Sequence, residues 1–163
     1  MISVARYFSL CLFLSGTLFF ALPLSLTQAQ EAPDLVGTWT GDHSIIIHRD
    51  GAVELGKITT VLTIKQQDGP YFQGSKTWKR QEKISVYSDI GEELATEGLE
   101  NIVGVIGFDG ETVTIAEGED SGVHHGRLID RDQMMLTYVE SDIGDAVLFR
   151  AILTRQRLPS GRY

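Results

Sequence analysis

Beyond residue 29 the chain has no cysteine, since the single one, Cys11, stands in an N-terminal apolar run. That excludes an internal disulfide, a thiolate metal site and a cysteine nucleophile from the remainder. Basic residues are also short. There are 14 Lys and Arg against 22 Asp and Glu, a formal net charge of −8. A surface with that balance repels nucleic acid and anionic lipid, so neither is an expected partner. No stretch keeps a 3.6-residue apolar period over three turns, which argues against a helical bundle. Gly104, Gly107 and Gly110 lie in and after a strand-like run with no helix behind them, so they form no phosphate motif. No serine sits in a nucleophile-elbow setting. The sequence predicts no cofactor and gives no specific reason to expect an enzyme.

What is present begins with a leader. Arg6 gives a positive start, and Tyr7 to Leu26 is almost wholly apolar or small. Thr27-Gln28-Ala29 then offers small residues where a signal peptidase reads. The run is nearly long enough to span a membrane as an uncleaved anchor, but Pro23 and the Ala29 site favour cleavage. The expected organisation is a signal peptide over 1–29, one domain over 30–155 and a tail over 156–163. The location would be periplasmic or secreted, with no membrane attachment after cleavage. The length and the 42% hydrophobic content fit a single globular domain.

Seventeen glycines against four prolines suit many tight turns between short strands. Leu35 to Asp42 reads as a strand, and Ser44 to His48 continues it or forms a second arm past a bend at Gly41. Ile58–Gln66 and Tyr71–Trp78 form a hairpin about the turn at 67–70. Lys83–Asp89 reads as a separate strand, and Glu92–Glu97 as a helical turn or loop. Asp109-Gly110 between two apolar-rich runs is the strongest hairpin signal. Val123–Ile129, Gln133–Glu140 and Asp145–Thr154 follow. The fold class expected is all-β: one antiparallel up-and-down barrel of about eight strands, whose closure removes exposed edges.

Alternation assigns the faces. Val147, Phe149, Ala151 and Leu153 share the inward face of the last strand, leaving Leu148 and Ile152 outside. Met134, Leu136 and Tyr138 share one face of the strand before it. In the first strand Leu35, Gly37, Trp39 and Gly41 lie together. Trp39 would plug one end. Arg155, in step with Phe149 and Leu153, either lies over that indole as a cation–π partner or stands in solvent. Trp78, Tyr87, Met134, Tyr138 and Phe149 are the candidate walls of a ligand cavity.

His124-His125 invites a metal reading, but neighbours on a strand point to opposite faces. A ligand set would need His43 or His48, with an acid such as Asp42, to converge on one of them. Glu92, Glu93, Glu97 and Glu100 read as a solvated face. Glu117 to Ser121 reads as an acidic turn without the spacing of a calcium loop.

Gly37-Thr38-Trp39 near the start, hairpins along the chain and a late Leu153-Thr154-Arg155 resemble the calycin barrels, that is, the lipocalins and the avidin-like proteins. The resemblance implies that Gly37, Trp39 and Arg155 seal the closed end, as Gly-x-Trp and a late basic residue do in lipocalins. Phe72-Gln73-Gly74 is similar to the aromatic-x-Gly strand of the avidin-like group. The biotin-site pattern departs at Gly41, where that group has an Asn. The expected function is an exported barrel that binds a small apolar or amphipathic molecule. The rivals are an interaction module that forms a homo-oligomer through its sheet faces and, third, an enzyme working at the barrel mouth.

Overall fold

The structure, a computed structural model, describes residues 31–49, 51–86 and 95–157. Tyr87, Glu92, Glu93, the leader and the end of the tail lie outside the described residues. Eight strands run in chain order: β1 Gly37–Arg49, β2 Ala52–Asp68, β3 Tyr71–Val86, β4 Glu97–Ile106, β5 Thr112–Glu117, β6 Val123–Asp130, β7 Gln133–Asp142 and β8 Asp145–Arg155. Each pairs antiparallel with the next, and β1 pairs with β8, so the sheet is a closed up-and-down barrel. Closure gives each strand a partner on both sides over part of its length.

Several strands differ from the sequence expectation. β1 runs unbroken through Gly41 and starts two residues after Leu35. β2 begins at Ala52 rather than Ile58, and β3 continues to Val86 with no separate strand at Lys83. The reason is common to all three. Strands of a closed barrel tilt and must reach both rims, so ladder pairing carries them through polar segments where apolar alternation fades. Glu54 pairs with Ile47 on one side and Val86 on the other.

The inward residues nearest one rim form a dry core. Leu62, Ile64, Phe72, Ile102, Ile106, Val113, Ile115, Met134, Leu136 and Leu153 are all buried. Residues 33–36 fold across that rim as a strap. The Leu35 amide donates to Gln67 Oε1 at 2.8 Å, and Gln67 Nε2 donates to the Pro33 carbonyl at 2.9 Å. Beneath it Trp39 is fully buried, its indole N–H donating to the Leu35 carbonyl at 3.0 Å. The Arg155 guanidinium lies 4.5 Å from the indole centroid and also donates to the Asp34 carbonyl. Gly37 turns the chain from strap to strand with φ of +142°, a conformation L side chains avoid.

On the outer wall Ile46, Leu148 and Val139 sit in register across β1, β8 and β7, and Met135 pairs with Ile152. All five are exposed.

Candidate functional site

At the rim opposite Trp39 the inward positions change character. Alternation brings Phe72, Gly74, Lys76, Trp78 and Arg80 to the inside of β3, so a lysine and an arginine follow the apolar start of that face. The same step occurs on β4 at Glu100, on β5 at Glu117, on β6 at His124 and on β7 at Tyr138 and Glu140. Up-and-down topology puts all of these at one end.

The cross-strand register then makes them neighbours. Lys76 is opposite Glu100, and His124 is opposite Tyr138, which is opposite Phe149. The Lys76 ammonium bonds Glu117 and lies 3.3 Å from Glu100 Oε2. It also stands 4.4 Å from the centroid of the Tyr138 ring. Glu117 accepts from His124 Nε2 at 2.9 Å and from the Tyr138 hydroxyl at 2.9 Å. That hydroxyl is 2.6 Å from Glu140 as well. The Trp78 indole N–H donates to Glu100 at 3.3 Å. Gly122 admits this packing, because a Cβ there would stand 2.3 Å from both Glu117 Oε2 and the Tyr138 oxygen. Phe149 stacks on Tyr138 at 4.7 Å and contacts the His43 ring at 4.3 Å.

Electrostatics divide the carboxylates. Burial pushes Glu100 up to about 7, and its hydrogen bond to Glu117 adds to the rise. Burial alone would raise Glu117 too, but hydrogen bonds from His124 and Glu100 and the Lys76 charge outweigh it and hold Glu117 well below the usual carboxylate range. Glu100 is therefore the member that holds a proton near neutrality, while Glu117 stays ionised. Burial also lowers His43 to about 4 and lowers His124, so both imidazoles are neutral.

Above this cluster the barrel opens into a cavity of about 220 Å³. Ile45, Ile47, Ile58, Trp78, Val147 and Phe149 give it apolar walls. Lys76, Arg80, Glu100, Asp120, Tyr138 and Glu140 give it a charged floor and flank. Arg49 and Arg80 at its margin are paired with Asp145 at 3.1 Å and Glu54 at 3.0 Å. The arrangement can hold a molecule with one apolar end and one polar end.

Of the five candidate walls, Trp78, Tyr138 and Phe149 line this cavity. Met134 does not. It is fully buried in the dry core near the closed end, because it starts β7 at that rim. His124 points inward and His125 outward; His43 shares the interior with His124 against Phe149, but His48 and Asp42 are exposed, and among the described residues no group of three metal-ligating side chains includes a histidine. Glu100 and Glu117, expected in a solvated face and an acidic turn, are buried strand residues of the interior. Lys76, Arg80, Glu100, Glu117 and Glu140 were missed as site residues. Their parity with Trp78, Ile102, Ile115 and Tyr138 was the signal that could have found them.

No protein-family model matches the sequence, and no curated protein matches it. Among solved structures, the S-type phycobiliprotein lyase CPES from Guillardia theta is similar at 13% sequence identity, with a TM-score of 0.43. The match covers 77% of this chain and 90% of that one.

Proposed function

We propose that this protein is a calycin-type binding barrel that takes one small amphipathic molecule through its open rim. The apolar part lies against Trp78, Phe149 and the isoleucines, and the polar end meets the charged floor. One observation carries the reading: the barrel is stoppered at the Trp39 end yet opens at the other into a cavity whose lining passes from apolar to charged. A barrel built only as a scaffold has no need of buried ionised groups, since apolar residues of similar volume would fill that space at equal or greater stability. At about 220 Å³ the cavity is below the usual range of roughly 300–1,000 Å³ for drug-sized ligands, so the ligand is small.

Trp78 lines the cavity and Trp39 is sealed at the opposite end, so intrinsic fluorescence reports on the site. Titration with short-chain alcohols, carboxylates and amines, each with alkyl and phenyl members, is expected to give a saturable change for at least one class. Trp78→Phe should abolish it. If every class stays silent up to about 1 mM, roughly −4 kcal/mol of binding, the reading fails.

The apolar run before Ala29 supports export with cleavage at that residue. Intact mass of the protein recovered from its source should correspond to a chain that starts at Gln30. A mass that retains the leader would overturn this.

A further inference from the structure

We propose, building on that reading, that the polar end of the ligand is a cation bearing N–H groups, an alkyl- or arylamine, and that the mouth discriminates against a carboxylate of the same shape. Three observations lead there.

The first is charge. Among the described residues, each cation that lines the cavity already has its acid: Arg49 has Asp145, Arg80 has Glu54, and Lys76 has Glu117 and Glu100. Asp120 and Glu140 also line the cavity, and among the described residues no ion pair joins either to a cation. Carboxylate oxygens of Glu100, Glu117 and Asp120 lie within 4.8 Å of one another, and the Tyr138 hydroxyl ties Glu140 to Glu117. Four carboxyl groups, with Glu100 only partly ionised near neutrality, thus share one neighbourhood with a single ammonium, and the neutral imidazole of His124 adds no charge. A cationic ligand reduces that repulsion, and an anion increases it.

The second is hydrogen bonding. The Tyr138 hydroxyl has one proton and faces two carboxylate oxygens, at 2.9 and 2.6 Å. It can serve one at a time. Glu100 is only 8% exposed, and its Oε2 faces the Lys76 ammonium at 3.3 Å without a well-aligned hydrogen bond. Acceptors outnumber donors, so a ligand that brings N–H groups satisfies what the protein leaves unmet. A carboxylate would bring more acceptors.

The third is the wall. Trp78 and Phe149 present rings beside these acids, and aromatic faces attract a desolvating cation while accepting its apolar body. A bare divalent ion would use the oxygens and ignore the rings. Lys76 already bonds part of the acid set, which further favours an organic cation.

The test compares three molecules of one shape on the whole protein: 2-phenylethylamine, 3-phenylpropionate and 2-phenylethanol, followed by Trp78 fluorescence and calorimetry. The amine should bind about tenfold or more tightly than either rival. Glu140→Gln and Glu100→Gln should each weaken the amine by about tenfold and leave the alcohol within about twofold. Amine affinity should rise from pH 6 to 8 as Glu100 ionises among Lys76, Glu117, Asp120, His124, Tyr138 and Glu140, because the amine keeps its own proton across that range. The Glu100→Gln variant should lose this slope.

Equal or tighter binding of the alcohol or carboxylate overturns the amine assignment and leaves the binding barrel standing. Silence from all three, as from the wider panel, overturns both. Calcium ions that saturate the site while the amine has no effect also overturn the assignment. The wild-type comparison needs no variant to fold.

Discussion

Lys76→Met is expected to destabilise the protein by about 3–5 kcal/mol at pH 7. The lysine is 3% exposed and holds two buried carboxylates, Glu100 and Glu117. Methionine fills similar volume, so the loss arises from the charge and not from a cavity. Removing one partner of a buried pair leaves the other without compensation. The pH dependence follows. In the wild type Glu117 is held low, so its contribution is present above the ordinary glutamate range and is lost as pH falls through its depressed folded value. Without the ammonium Glu117 loses one cause of that depression, and acid can neutralise the pair. The deficit of Lys76→Met should therefore shrink between pH 7 and pH 5. Urea unfolding at both values measures it. A loss under about 1 kcal/mol at pH 7 would show that the cluster is solvated and not a dry ionic site.

Trp39→Ala is expected to cost a similar amount, about 3–5 kcal/mol, for a different reason. The indole is fully buried, carries the strap through its bond to the Leu35 carbonyl, and lies under Arg155. Its removal leaves a hole under the strap that backbone pairing on both sides prevents from collapsing. Trp39→Phe keeps most of the stopper and loses the N–H, so it should cost about 1–2 kcal/mol. Thermal unfolding separates the two. If Trp39→Ala costs under about 1 kcal/mol, far below a core truncation, the closed end does not depend on the indole.

The two effects lie at opposite rims, with the dry core between Met134 and Ile115 separating them. Sites that far apart with no shared partner should add. The barrel thus divides its work: one end is committed to stability, while the other carries buried charge that a scaffold alone does not require.

The eight-stranded barrel was legible because its signals are local. The Asp109-Gly110 turn, the alternation of Phe149, Ala151 and Leu153, and the absence of a helical period each need only a few neighbouring residues. Long strands were less legible where polar residues such as Glu54 interrupt the pattern and pairing alone continues the ladder. The charged floor was the least legible part. Glu100 stands in an acid-rich stretch and Glu117 opens another, and composition makes both look solvated.

Sequence by itself determined the all-β class, the antiparallel hairpin order and the faces of the apolar stretches, because alternation has a period of two and turns announce themselves. Only the tertiary structure decided which inward residues meet. A slip of two residues keeps every face unchanged yet moves a side chain by roughly 7 Å along its neighbour. That distance separates Lys76 opposite Glu100 from Lys76 opposite Ile102 or Gly98. Register is fixed by the summed constraints of turns, bulges and closure around the whole ring, and no single stretch of the chain contains it.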